Sequence, residues 1–342
     1  MQLHALTGTG KVQAFRCLVD RIIEWSNGLS DSKNTVIPLA LKRSVVGVSR
    51  DIMQVLSLAG IAVVTSIVPK ERDAAITQFL IQQSLKFNRR RINTLSATLR
   101  SLYSDLSDGE VRAIAQQRLL MNLELNWSRG RSLGLRPTDV TVEVEGIERV
   151  DLALARGKGV LLWRMSLTGA PAVNSVFYKR GLPITHLSTP NHLCRSSGWF
   201  ARRIVGPLVS HDEARYLSRR VIMEAGRMTG YLDKLKNALS ANQVVTMVGD
   251  ADRGRVKELV EVGKRRYAIP SGAPGLAHST GATLLPCAAV RTAPFNYKLV
   301  VFDDASPCEN TDRRSFRRLA IEQYAHDRLE LITKFPSSDM FL

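Results

Sequence analysis

The sequence predicts an α/β protein, a mostly parallel sheet flanked by helices and preceded by an N-terminal helical region. Three observations carry this. Residues 1–135 hold runs with apolar residues at helical spacing and no strand-like alternation. From Val140 onward, strand-like and helix-like runs alternate, the pattern of parallel strands covered on both faces. The composition, 44% hydrophobic and 23% charged over 342 residues, suits a packed core and excludes collagen-like or disordered chains.

The elements follow in chain order. Ile52–Val68 is uncharged, bracketed by Arg50, Asp51 and Lys70. At 1.5 Å per residue its helix spans about 25 Å, short of the ~30 Å hydrocarbon core. A buried core helix, an interfacial helix and a true span are all open readings of it. Asp73–Tyr103 has no Pro or Gly and reads as helical, with a basic run at Arg89, Arg90 and Arg91. Ser107 and Glu110 form a capping-box pattern that opens a helix through about Trp127. Arg129–Pro137, with Gly130 and Gly134, reads as a linker, dividing a helical region 1–135 from an α/β region 136–342.

Beyond it, Thr141–Glu145 alternates as a strand and Gly146–Arg156 reads as a short helix. Gly159–Trp163 is a buried-type strand, Thr168–Arg180 a helix and Pro183–Leu187 another strand. Glu213–Leu239 reads as one long helix, and Val244–Val248 as a strand closed by Gly249 and Asp250.

Lys and Arg number 48 against 31 Asp and Glu, and the sequence pI is near 10.2. So basic a chain expects an anionic partner: nucleic acid, phospholipid headgroups or an acidic carrier protein. Four scattered cysteines (Cys17, Cys194, Cys287, Cys308) offer neither a metal-binding pair nor a disulfide framework, and a reducing compartment fits them. The first 25 residues have no uninterrupted apolar run, so no cleavable signal peptide is expected. With 6% aromatic residues and no helix-turn-helix, zinc-finger or RNA-recognition signature, nucleic acid is the disfavoured partner.

In parallel sheets, sites form beyond the carboxyl ends of the strands. That selects loops 164–170, 188–194 and 249–255, with Arg164, Ser166, His192 and Asp250 as the groups of interest.

At these residues the chain resembles the late (lauroyl/myristoyl) acyltransferases of lipid A biosynthesis, over roughly residues 50–335. The blocks that resemble the family are Leu56–Pro69, Asn88–Arg91, Leu106–Glu110, Val142–Leu162, Leu239–Asp250, Gly272–Pro286 and Tyr297–Val301. The resemblance implies a glycerolipid-acyltransferase-like fold, no metal and no cofactor. It also implies an acyl donor, either acyl carrier protein or acyl-CoA, at the cytoplasmic face of a bacterial inner membrane. The short apolar stretch followed by Arg89–Arg91 leads us to expect peripheral or monotopic attachment through residues 52–68 and the basic N-terminal helices. Arg202 and Arg203 resemble a family arginine that binds a phosphate-bearing acceptor.

The departure from the family is large. Its catalytic pair is a His followed five positions later by Glu or Asp, and Ser166 and Pro171 stand at the matching positions. No His lies between Ser30 and Thr185, and no Asp or Glu between Leu152 and His211. That carboxylate-free stretch carries eight cations, Arg164, Arg202 and Arg203 among them, so an anion site is expected over 164–206. His192, with Asp250 to orient it, is the available substitute base. Ser166 as a nucleophile lacks the Gly-x-Ser-x-Gly elbow. His186 is expected on a strand and His278 on a helix. Three functions follow: acyl transfer to a lipid or natural-product acceptor with a non-standard site, non-catalytic binding of acyl chains or carrier protein, and, disfavoured, nucleic-acid binding.

Overall fold

The structure is a computed structural model that describes residues 39–103, 106–133, 138–167, 169–189, 201–223, 228–250, 256–263, 265–308 and 311–339. Four helices come first: α1 (Leu39–Ile67), α2 (Asp73–Phe87), α3 (Arg89–Leu102) and α4 (Asp108–Leu133). The α/β part follows as β1 (Thr141–Glu145), α5 (Ile147–Ala155), β2 (Val160–Arg164), α6 (Ala170–Lys179), β3 (Ile184–Ser188), α7 (Gly206–Ala214), β4 (Arg219–Ile222), α8 (Met228–Ser240) and β5 (Val244–Val248). A two-stranded hairpin, β6 (Lys257–Val262) and β7 (Arg265–Pro270), precedes α9 (Gly272–Thr280), β8 (Thr283–Ala293), β9 (Asn296–Val301) and α10 (Arg313–Lys334).

Seven strands make one sheet in the order β1-β9-β8-β2-β5-β3-β4. The run β8-β2-β5-β3-β4 is parallel throughout, β9 is antiparallel to β8, and β1 is parallel to β9. The mostly parallel sheet with helices on both faces is therefore present. Its central strand β2 is buried along its whole length, as a strand covered on both faces must be. Leu161, Trp163 and Met165 enter the core shared with α8, α9 and α10, while Val160 and Leu162 enter the core shared with α5 and α6. His186 lies on β3 and His278 on α9, as expected.

The expected capping box forms at α4. The Ser107 amide donates to Glu110 Oε2 at 2.8 Å, and the Glu110 amide donates back to Ser107 Oγ at 3.3 Å. Asp73–Tyr103 is helical as read, broken at Asn88, whose backbone (φ −101°, ψ 24°) leaves the helical region between α2 and α3. Two sequence readings are corrected. Helix α4 runs on through Gly130, which read as linker; there a Cβ would stand 2.5 Å from Ile61 Cγ2, so glycine lets α4 touch α1. Glu213–Leu239 is not one helix: α7 ends at Ala214 and β4 intervenes before α8. Strand β4 is a sheet-edge strand in which only Val221 is buried, so its alternation is too sparse to read.

The helical region is pinned by Asp73, which is buried. It accepts from Arg131 Nη2, from Trp127 Nε1 at 2.9 Å and from Thr138 Oγ1 at 3.4 Å. Arg131 also donates to the carbonyls of Thr65 (3.4 Å) and Val68 (3.1 Å), closing the open end of α1. Helix α4 then ties this region to the α/β part, to β8 through Arg291 Nε on Glu124 Oε2 at 2.8 Å and to α7 through Ser128 Oγ on Asp212 Oδ2 at 3.1 Å.

Candidate functional site at the carboxyl edge of the sheet

Parallel pairing of β2 with β5 sets Arg164 beside Val248, so the residues that follow each strand emerge at one edge. Ser166 and Asp250 meet there: the Ser166 amide donates to both Asp250 carboxylate oxygens at 3.0 Å. The approach of the two loops requires Gly249, where a Cβ would lie 2.3 Å from Trp163 Nε1 and 2.6 Å from Tyr324 Cζ. Trp163 and Tyr324 stack with centroids 4.2 Å apart, and Tyr324 Oη donates to the Arg164 carbonyl at 3.2 Å.

The carboxylate of Asp250 also accepts from Arg328 Nη1 at 2.6 Å, and Arg328 Nη2 donates to Asp339 Oδ1 at 2.5 Å. All three side chains are shielded from solvent. Burial pushes the Asp250 carboxyl up, opposed by Arg328 and by the Ser166 hydrogen bonds. Burial also works against the Arg328 charge, but Asp250 and Asp339 outweigh it and hold the guanidinium above its ordinary value. Asp250 thus bridges the end of β5, the loop after β2 and α10.

Around this bridge lies a wider polar cluster. Arg265 Nη1 stands 3.6 Å from Asp339 Oδ2, and its guanidinium carbon lies 4.4 Å from the Tyr103 ring centroid. Arg328 lies 5.7 Å over the Tyr267 ring. Arg118 of α4 faces Asp339 and Tyr103; burial lowers its pKa, with those two groups opposing.

The remaining residues singled out by sequence scatter. Arg164 is 3% exposed and points to the other face of the sheet, donating to Asn174 Oδ1 at 3.2 Å with Glu213 Oε1 at 3.5 Å. It supports α6 and α7 there rather than facing a cleft. Arg203 is exposed on the turn Ala201–Val205, and the side chain of Arg202 on that turn lies outside the described residues. His192 also lies outside them, as does the Pro171 side chain. The cations expected to form an anion site over 164–206 do not converge among the described residues: Arg164 faces Glu213, and Arg180 Nη2 pairs with Asp151 at 2.8 Å.

Histidine at this edge does not supply a base among the described residues. His186 is buried, with Nδ1 2.7 Å from Thr246 Oγ1. The Cys287 thiol is buried and pushed up to about 12 by burial, so it is no nucleophile. No group of three or more His, Cys, Asp or Glu among the described residues could hold a metal ion. Two shallow cavities of about 210 and 250 Å³ open elsewhere, on the flank of α6, and share Lys179. Neither is lined by Ser166, Asp250 or the arginines around them.

Arg118, Arg265, Arg328 and Asp339 were missed by sequence reasoning. One signal existed: Ile321, Tyr324, Ala325, Arg328, Leu331 and Ile332 share one face of α10, so Arg328 is a cation at a core position. No protein-family model and no curated protein matches the chain.

Proposed function

We propose that this protein is acyltransferase-like and works at a membrane surface, moving a fatty acyl chain from acyl carrier protein or acyl-CoA to a lipid or natural-product acceptor. The observation that carries the reading is the contact between Ser166 and Asp250, which are distant in sequence. They stand where the resemblance puts a catalytic His and a strand-ending Asp, and the fold brings them together at the edge where open α/β sheets bind ligands. Attachment to a membrane is supported by α1. Leu56, Val63, Val64 and Ile67 fall on one helical stripe and are exposed, Ile67 by 79%. Phe79 and Leu80 of α2 are exposed nearby in the chain, as are Arg89, Arg90 and Arg91 of α3. No described helix is long and apolar enough to cross a membrane, so the stripe suits an interfacial helix.

One observation favours non-catalytic binding of acyl chains or carrier protein instead. The Asp250 carboxylate is engaged by Ser166 and Arg328, which leaves it poorly placed to orient a base. Release of free carrier protein from acyl carrier protein loaded with mixed acyl chains, with a membrane extract as acceptor, separates the two. With an enzyme, wild type turns over and His192→Ala slows it by about 10²–10⁴, the usual effect of losing a general base. If wild type turns over and His192→Ala matches it, His192 is not the base. If neither wild type nor Ser166→His with Pro171→Glu reacts with any acyl donor, transfer is excluded and binding remains.

A further inference from the structure

The cluster around Asp339 is built from both halves of the chain. Arg118 (α4) and Tyr103 (after α3) come from the helical region, while Arg265 and Tyr267 (β7) and Arg328 (α10) come from the α/β region. Three guanidinium groups, those of Arg118, Arg265 and Arg328, gather here around the carboxylates of Asp250 and Asp339. Guanidinium groups brought together in this way favour an anion. Arg118 Nη1 is shielded from solvent and has no hydrogen-bond partner among the described residues. The hydroxyls of Tyr103 and Tyr267 are shielded as well and lie beside the Arg265 guanidinium, and the Ser338 hydroxyl is shielded with no hydrogen-bond partner among the described residues. Arg265, 18% exposed, keeps the cluster in touch with the surface.

We propose that this junction between the helical region and the carboxyl edge binds a phosphate monoester, held by Arg118 and Arg265 with the Tyr103 and Tyr267 hydroxyls. Guanidinium forks match phosphate bidentately, and the three terminal oxygens of a monoester offer acceptors for both forks and for a hydroxyl. Binding sites are common at such junctions, and this one adjoins Ser166 through the Asp250–Arg328 bridge. The site itself does not depend on acyl transfer. Only the source of the phosphate rests on that reading: a coenzyme-borne group on the donor or a lipid-borne group on the acceptor.

The test uses the full chain and inorganic phosphate, titrated calorimetrically at constant ionic strength set by chloride. Wild type should bind. Arg118→Gln and Arg265→Gln should each weaken binding about tenfold or more, the loss of a charge-assisted contact, and Arg118→Lys should recover part of it. Arg112→Gln, on the exposed side of α4, should bind as wild type does. Displacement of phosphate by coenzyme A assigns the donor side, and displacement by phosphatidic acid vesicles the acceptor side. If neither displaces it, the site takes only free ions and the monoester proposal fails. Equal affinity in wild type, Arg118→Gln and Arg265→Gln would put the phosphate on the general basic surface. Absence of binding to wild type would leave the cluster a purely structural tie. If Arg118→Gln does not fold, Arg265→Gln and Arg118→Lys decide alone. Acyl transfer detected without Arg118-dependent phosphate binding would sink this site and leave the functional reading standing.

Discussion

Asp327 shows how strongly burial acts on a single carboxyl. It lies on α10 with Oδ1 accepting from Gln323 Nε2 at 2.7 Å, and Oδ2 is shielded with no partner among the described residues. Burial pushes its pKa up to about 7, with Glu330 and Asp303 adding to the shift. The folded state therefore keeps a proton up to about pH 7 that the unfolded chain releases near pH 4. Between those values the folded state binds more protons, so stability falls as pH rises. Asp327→Asn removes that dependence. Its melting temperature relative to wild type should climb through this window and level off above pH 7.5, by an amount worth on the order of 1 kcal/mol after allowance for solvent screening. A difference that is flat with pH would mean Asp327 is charged in the fold. At the same scale, Asp250 was readable as a strand-ending residue, but its engagement by Arg328 was not, because nothing local in the sequence pairs β5 with α10.

Among the helices, the element that matters most is the turn between α1 and α2. Asp73 is 2% exposed and Arg131 fully buried, and their pairing holds the end of α1, the start of α2 and the end of α4 together. Asp73→Asn leaves the Arg131 charge buried beside a neutral amide, and a broken buried pair costs about 3–5 kcal/mol. Denaturant unfolding should show a loss of that size. A loss below about 1 kcal/mol would mean that the Thr65 and Val68 carbonyls suffice for the guanidinium. The elements that sequence located well, β1, β2, β3, β5 and the start of α4, are those whose pattern is local: alternation, a short apolar run, a capping box. Strand β4 and the passage of α4 through Gly130 were not local. One is a polar edge strand, and the other depends on Ile61 of a different helix.

At the scale of the whole molecule, the apolar stripe and the arginine cluster lie apart. The apolar stripe of α1 faces away from the α4 contact, where Val55 and Leu58 are buried, while the arginine cluster sits inside the junction of the two regions. Deleting residues 1–72 would strip Arg131 of its carbonyl partners and uncover α4, so substitution is the cleaner test of membrane attachment. Val63→Glu with Ile67→Glu alters only exposed positions, 60% and 79% accessible. It should leave the fold and melting temperature unchanged while lowering co-flotation with anionic vesicles by about tenfold or more, from two apolar side chains withheld from the bilayer. Equal flotation of variant and wild type would remove α1 from the membrane contact.

The sequence by itself determined the fold class, the parallel strands at the centre of the sheet, the N-terminal helical region and the edge at which Ser166 and Asp250 emerge. Hydrophobic period and turn chemistry are local properties, legible residue by residue. Tertiary structure alone decided what those groups touch. It turned Arg164 to the opposite face of the sheet, tied Asp250 to Arg328, and gathered Arg118, Arg265 and Asp339 from distant parts of the chain. Such pairings are set by packing between elements, for which a local pattern holds no record.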